Sequence, residues 1–159
     1  MGTKLIMIKL IVATGLDGEI GKDGELPWED DLLYQDDNIY FKNKIRNNII
    51  VGTNNSISYS NDYKSFLVSR NSYLNWSSLS PDMILNSVQD SFPEKDVYVV
   101  GGVEWYHSSS PYVEKAYISI IKNSFPNSTS FVDRAILTKD KTLTDVYDFN
   151  TWEIQVWEK

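Results

Sequence analysis

The strongest constraint on the fold is the alternation of apolar, β-branched segments with segments of helical spacing. Apolar runs bounded by turn residues occupy 8–13, 48–51, 65–69 and 97–100, and they predict buried strands. Residues 36–44 and 81–91 carry helical spacing, and Ser80 followed by Pro81 is typical of a helix start. Alternating strands and helices predict a mainly parallel sheet with helices on both faces.

The last part of the chain predicts strands in succession, over 116–121, 130–138 and 151–158. In the last of these, apolar and polar side chains alternate from Trp152 to Trp157, so one face is predicted to be buried. Consecutive strands predict an antiparallel C-terminal hairpin. The sequence therefore predicts a single α/β domain over 7–159. Residues 1–6 are predicted to be an N-terminal extension or residues left by cloning, since Lys4-Leu5-Ile6 is echoed by Lys9-Leu10-Ile11 after Met7.

Composition excludes several classes of site. The 159 residues contain no cysteine and a single histidine, His107, so thiolate chemistry is excluded and a zinc site is disfavoured. A net charge of -7 argues against general nucleic-acid binding. The apolar start is interrupted by Lys9 and is too short to span a bilayer, and it lacks a signal-peptide cleavage pattern. We expect a cytoplasmic monomer without a metal or a membrane partner.

Two glycine-rich segments suggest ligand binding. Gly101-Gly102 follows a predicted strand and precedes a predicted helix, an order that lets a phosphate approach the backbone and the helix N–H groups. An ordinary strand-to-helix turn is the alternative, and the glycine pair alone favours it. The loop 15–24 contains four glycines and leads into Leu26-Pro27-Trp28, which suits a lid over a ligand. A long surface loop is the alternative.

Asp37 is the candidate acid. It lies four residues before Phe41, so the two share one face of the predicted helix. With Phe41 facing the core, the neighbouring carboxylate would be desolvated and more easily protonated, as a proton donor near neutral pH requires. A solvated aspartate at a helix start is the alternative, and the residues alone favour it.

Polar residues follow two further strands, at 52–57 and at 69–71. The carboxyl ends of parallel strands share one edge of a sheet, where ligands usually bind. Arg70 could there clamp a phosphate, although an isolated arginine after a strand is more often a surface charge.

In this order, the patterns resemble dihydrofolate reductases over nearly the whole chain from Met7 onward. The matching segments are Ile20-Gly21, Leu26-Pro27-Trp28, Asp37 with Phe41-Lys42, Ile50-Val51-Gly52, 67–71, 99–102 with Tyr106, 115–119 and Trp152-Glu153-Ile154. The resemblance implies an enzyme that reduces dihydrofolate to tetrahydrofolate by hydride transfer from NADPH. It implies no metal.

The resemblance also assigns residues to roles. Asp37 would handle the proton, supported by Trp28, Leu26 and Ser119. The pterin pocket would be formed, with Asp37, by Ile11, Val12, Ala13, Phe41, Ile57, Val100 and Tyr106. NADPH would be held by Ala13, Ile20, Gly21, Gly52, Thr53, Asn54, Asn55, Ser69, Arg70, Gly101, Gly102, Val103, Glu104, Trp105 and Tyr106. The Gly101-Gly102 peptide is expected to be cis.

The sequence departs from the family pattern in places. Thr53 and Glu104 stand where basic residues are common, the segment before Phe66 is shortened, and Tyr63 falls where the family usually has an arginine for the folate tail. The added acidic residues Glu29, Asp30 and Asp31 leave open that one of them is the functional carboxylate, although Phe41-Lys42 fixes the register in favour of Asp37.

These departures keep two alternative functions open. One is a non-catalytic structural or binding module with this fold. The other is a reductase of a pyrimidine or of a pterin without the glutamate tail.

Overall fold

A seven-stranded sheet forms the centre of the protein. The computed structural model describes residues 8–21, 26–28, 35–53, 63–68 and 80–159. The strands are β1 Ile8–Thr14, β2 Glu19–Gly21, β3 Ile49–Gly52, β4 Lys64–Leu67, β5 Val97–Val99, β6 Lys115–Ile121, β7 Ser130–Phe131, β8 Thr142–Asp148 and β9 Trp152–Glu158. The helices are α1 Gln35–Ile45, α2 Pro81–Ser91, α3 Val103–Ser109 and α4 Arg134–Thr138, with a 3-10 turn at Ser110–Tyr112.

The sheet is mainly parallel, as the alternating pattern predicts. Its strand order is β4-β3-β5-β1-β6-β9-β8, and β2 pairs with β7 in a separate ribbon. All pairs from β4 to β6 are parallel, whereas β6 with β9 and β9 with β8 are antiparallel. The prediction of an antiparallel hairpin at the C-terminal end of the chain is therefore confirmed, although its first strand, β8, was not among the predicted strands. Asn150 has a φ of 74° in the connection, and its N–H donates to the Asp148 carboxylate.

Each face of the sheet carries its own apolar core. The α1-side core contains Ile11, Trp28, Ile45, Ile50, Tyr98, Val100, Tyr117, Ile121, Trp152, Ile154 and Val156. The α2-side core includes Ile8, Leu10, Val12, Val51, Val99, Ile118, Leu85 of α2, Trp105 of α3 and Leu137 of α4. Successive strand residues alternate between these two cores, since side chains of a strand point to opposite faces in turn. Helices therefore cover both faces, as predicted.

One predicted strand is wrong. The sequence suggested a strand over 130–138, but only Ser130–Phe131 is extended, and α4 occupies Arg134–Thr138. The Asp133 carboxylate accepts a hydrogen bond from the Ala135 N–H at 3.0 Å, which caps the first turn of the helix. Leu137 is fully buried on its inner side. The cap and this buried contact outweigh the β-branched residues that suggested a strand.

The first part of the glycine-rich loop is anchored. Residues 15–21 contain β2, which pairs with β7, and Gly18 turns with a φ of 89°. Arg134 donates hydrogen bonds to the carbonyls of Gly15 and Leu16 at 2.9 Å and 2.8 Å. The prediction of a lid over 15–24 therefore does not describe residues 15–21, and residues 22–25 lie outside the described part of the chain.

No helix in the described part of the chain is long and apolar enough to cross a membrane.

Candidate active site

The candidate site lies at the carboxyl edge of the parallel strands. There β1 ends at Thr14, β3 ends at Gly52, and β5 ends at Val99, one residue before the Gly101-Gly102 turn. Ser119 of β6 is in register with Ala13 of β1. Parallel strands thus bring segments that are distant in sequence to one edge, which is where ligands bind in such sheets.

Asp37 is buried on this edge. Its side chain is 3% exposed, while the preceding Asp36 is exposed, so helix α1 turns one carboxylate inward and one outward. Phe41, one helical turn later, is partly buried and packs against the α1-side core, as the four-residue spacing predicts. Of the two interpretations that the sequence left open for Asp37, the structure supports the buried one.

Burial dominates the electrostatics of Asp37. Desolvation raises the pKa of the carboxyl from 3.8 to about 6, and hydrogen bonds from the Ser119 hydroxyl and the Trp28 indole N–H oppose part of that rise. Both donors are buried, Ser119 at 2% and Trp28 at 4% exposure. At neutral pH the group is therefore mainly ionised, with a minor protonated fraction.

Apolar and aromatic side chains lie on the same side of the sheet as the carboxylate. Ile11, Trp28 and Val100 belong to the α1-side core, and Ala13, Leu26 and Phe41 pack against it. The Tyr106 hydroxyl donates to the Ile11 carbonyl at 2.8 Å, and burial raises the pKa of this phenol. Four of the residues predicted for the pterin pocket therefore lie on the same side of the sheet as Asp37: Ile11, Ala13, Phe41 and Val100. The Tyr106 side chain belongs to the α2-side core, although its hydroxyl reaches the Ile11 carbonyl.

Two further residues assigned from the resemblance also lie on the α2 side of the sheet. The Val12 side chain belongs to the α2-side core, across the sheet from Asp37, so it does not form a wall of this pocket. Strand alternation explains the correction, because Ile11 and Ala13 on either side of it face Asp37. Ile20 also packs against the α2-side core. Gly21, at the end of β2, accepts a hydrogen bond at its carbonyl from the Thr129 N–H at 2.7 Å.

The Gly101-Gly102 peptide is cis, as the resemblance led us to expect. Thr53 binds both of its residues: the Thr53 N–H donates to the Gly101 carbonyl, and the Thr53 hydroxyl accepts from the Gly102 N–H, each at 2.9 Å. A Cβ built on Gly52 would lie 2.5 Å from the Val100 carbonyl oxygen and 2.8 Å from that of Gly101. Glycine at position 52 therefore permits this close approach of β3 to the turn.

Helix α3 begins directly after the turn. Val103 is partly exposed and Glu104 is exposed, so both border the same edge. Trp105 is 0% exposed, and its indole N–H donates to the Val51 carbonyl at 3.0 Å. The Trp105 side chain therefore packs inside the protein against β3, and only the backbone of Trp105 can face a ligand.

Some predicted residues of the cofactor site and of the pterin pocket lie outside the described residues. This applies to Asn54, Asn55, Ile57, Ser69 and Arg70, and to the alternative acids Glu29, Asp30 and Asp31. His107 is not at the site: its Nε2 accepts from the Asp133 N–H at 3.0 Å. Within the described ranges, no three histidine, aspartate or glutamate side chains lie together as candidate metal ligands.

Sequence reasoning missed three residues at the border of the site. Glu19 is fully buried, Phe125 packs against the α1-side core, and Arg134 binds the end of β1. A charged residue in a glycine-rich loop is predicted to be exposed, so nothing in the sequence indicated the burial of Glu19. The aspartate before a run of helix formers at 134–137 was the available signal for α4 and hence for the position of Arg134.

Comparison with known proteins agrees with this architecture. A family model described as dihydrofolate reductase matches residues 7–138. Among solved structures, a dihydrofolate reductase from Enterococcus faecalis complexed with NADP(H) and RAB-propyl is similar with a TM-score of 0.73. The two chains are 18% identical, and the match covers 96% of this chain and 95% of that one. No curated protein matches. The family model covers most of the chain and the fold agrees with it, so the chain belongs to the dihydrofolate reductase family.

Proposed function

We propose that this protein reduces dihydrofolate to tetrahydrofolate with NADPH and that Asp37 assists protonation of the pterin. The observation that carries the proposal is the buried Asp37 carboxyl at the carboxyl edge of the sheet, with a pKa of about 6 and donors from two sides. Glu19, the other buried carboxylate among the described residues, already accepts from two backbone N–H groups. Asp37 is bound by side chains of the predicted site, Ser119 and Trp28, so we expect it to be the acid that a ligand at this edge meets.

Different residues of the site would have different roles in the reaction. When bound, NADPH supplies the hydride that reduces C6 of the pterin. Asp37 would accept hydrogen bonds from the amino edge of the pterin and favour the form protonated at N5. Ser119 and Trp28 hold the carboxylate in place through their hydrogen bonds. Leu26 and Phe41, beside the α1-side core, would exclude water from the ring.

The glycine turn fits a phosphate-bearing cofactor. Among the described residues, a Cβ built on Gly102 would meet only the Thr53 hydroxyl, at 3.7 Å, so no described side chain crowds this backbone. Such a surface lets a pyrophosphate approach the main chain closely. Glu104 lies in the first turn of α3, and its negative charge does not attract a phosphate. The positive charge that binds the cofactor phosphate must therefore come from another residue, and the sequence predicts Arg70 for this role.

The proposal is tested by following the loss of NADPH absorbance, first with dihydrofolate as substrate and then with other reduced-ring precursors. Oxidation that depends on dihydrofolate supports it. Oxidation only with a tail-less pterin or a pyrimidine would favour the second alternative, and no oxidation with any of them would favour a non-catalytic module. The same proposal makes the protein a cytoplasmic source of tetrahydrofolate for one-carbon metabolism.

Arg70→Ala is expected to weaken NADPH binding far more than NADH binding. A charge-assisted hydrogen bond to the 2'-phosphate is worth about 1.5–3 kcal/mol, so discrimination between the cofactors should fall roughly ten- to a hundredfold. Dissociation constants for both cofactors measure the effect. Arg46→Ala, at the exposed end of α1, is the matched control. Equal weakening of both cofactors by Arg70→Ala would refute the assignment.

Tyr63→Arg is expected to lower the KM for dihydrofolate with little change in kcat. Tyr63 is partly buried and packs against the α1-side core, on the face of the sheet where Asp37 lies. A tyrosine offers one neutral hydrogen bond to a carboxylate, whereas an arginine offers two charge-assisted ones worth about 1.5–3 kcal/mol more. Tail binding should stabilise the ground and transition states alike.

Steady-state kinetics with dihydrofolate and with a tail-less dihydropterin check this expectation in both proteins. Only the dihydrofolate KM should change. A wild-type protein that already prefers dihydrofolate by orders of magnitude in kcat/KM would show that another residue binds the tail.

A further inference from the structure

Glu19 is a buried carboxylate for which the proposed reaction has no use. It is 0% exposed, and the two oxygens of its side chain accept from different parts of the chain. One oxygen accepts from the Asp17 N–H at 2.6 Å, within its own loop. The other accepts from the Phe125 N–H at 2.5 Å, in the segment that follows β6. A charge is costly to bury, so a carboxylate kept here fixes the geometry of both segments.

The packing around Glu19 leaves little room for movement. A Cβ built on Gly15 would lie 2.8 Å from the Glu19 carboxylate oxygen and 2.9 Å from the Phe125 ring. Glycine at position 15 therefore allows the carboxylate and the ring to meet beside the end of β1. Glu19 therefore contacts Phe125 in two ways: its carboxylate accepts from the Phe125 backbone N–H, and the Phe125 ring lies beside the same carboxylate at Gly15.

Phe125 connects this junction to the proposed site. Its ring packs against the indole of Trp28, with 5.3 Å between ring centroids and an interplanar angle of 47°. The Trp28 indole N–H in turn donates to the Asp37 carboxylate. A continuous path of contacts thus runs from Glu19 through Phe125 and Trp28 to Asp37.

We propose that Glu19 is a positioning residue that holds Phe125 against Trp28 and thereby orients the hydrogen bond from Trp28 to Asp37. This inference rests on the proposed function only for the consequence of that hydrogen bond in turnover. Glu19→Gln keeps the volume of the side chain, but it replaces one of two acceptors with a donor that faces a backbone N–H. Phe125 or the Asp17 turn must then shift, and Trp28 loses part of its alignment.

The titration of Asp37 is the readout that a merely structural role would not change. The hydrogen bond from Trp28 lowers the pKa of Asp37, so its loss should raise that pKa above about 6. Described titratable groups coupled to Asp37 are the phenols of Tyr40 and Tyr106, and burial raises the pKa of each further above this range. Neither phenol therefore ionises where Asp37 titrates.

The experiment is carboxyl NMR of the ¹³C-labelled full chain without cofactor or substrate, with the pH profile of kcat/KM measured in parallel. Glu19→Gln should raise the midpoint of the Asp37 titration by about one unit, and the kinetic break should move with it. Ser124→Ala is the matched control, because it removes an exposed hydrogen bond to Asp17 across the same junction. It should leave both midpoints unchanged.

Phe125→Leu tests the middle of the path, even if Glu19→Gln fails to fold. It should shift the Asp37 midpoint in the same direction, and adding Glu19→Gln to it should give little further shift, since both act through one contact. An unchanged Asp37 midpoint in folded Glu19→Gln or in Phe125→Leu would overturn the inference. Absence of wild-type turnover would contradict the proposed function alone, because the NMR titration needs no catalysis.

Discussion

Asp37→Asn is expected to reduce kcat/KM for dihydrofolate by roughly two to four orders of magnitude at neutral pH, because a proton-handling group commonly contributes that much. The amide keeps the volume of the side chain but can neither carry the charge that binds the pterin edge nor exchange a proton in this range. NADPH binding should change little, since the proposed cofactor surface is formed by the Gly101-Gly102 turn. Initial rates and cofactor titrations measure both effects.

The neighbouring carboxylate supplies a matched control. Asp36 lies on the same first turn of α1 but is exposed, so Asp36→Asn should retain nearly full activity. Near-normal turnover of Asp37→Asn, together with inactivity of Asp30→Asn or Asp31→Asn, would show that the functional carboxylate is another one.

The stability of the fold should also depend on pH through Asp37. Its pKa is raised from 3.8 to about 6, so the folded state binds more protons than the unfolded state between these values. The contribution of Asp37 to stability is therefore most favourable below the unfolded pKa and is lost as pH rises through the folded pKa. The difference of about 2 units corresponds to about 3 kcal/mol, all of it lost above pH 6.

Asp37→Asn removes this dependence. The free energy of unfolding of the variant, taken relative to that of the wild type, should therefore be about 3 kcal/mol larger above the folded pKa than below the unfolded pKa, so the variant gains relative stability as pH rises. Urea unfolding of both proteins across this range measures the difference. Asp36→Asn should show no comparable pH-dependent gain, and a constant difference between Asp37→Asn and wild type would mean that Asp37 is not buried as described.

The parts of the fold that the sequence predicted well are those with strong burial patterns. The runs at 8–13, 97–100 and 151–158 became β1, β5 and β9 because each buries β-branched or aromatic residues in the two cores. Strand β8 was missed because all seven of its residues are exposed, so no alternation of apolar and polar residues marks it. Pairing with β9 determines its structure, and local sequence does not encode that pairing.

The candidate site was predictable where a residue type and its spacing carry the chemistry. Asp37 with Phe41 and the glycine pair are such cases. Val12 was misplaced because a resemblance transfers a position along the chain, whereas the face of the strand is set by its alternation with Ile11. Glu19 could not be predicted, because its burial depends on the Phe125 N–H, which is over a hundred positions away in sequence.

The pH profile of kcat/KM for NADPH-dependent reduction of dihydrofolate, in wild type and in Asp37→Asn, tests the central claim most directly. We predict dihydrofolate-dependent oxidation of NADPH whose kcat/KM falls as pH rises through about 6, the pKa of Asp37, and a profile without that break in Asp37→Asn. Wild-type protein that binds NADPH but oxidises none with dihydrofolate at any pH in this range would contradict the claim.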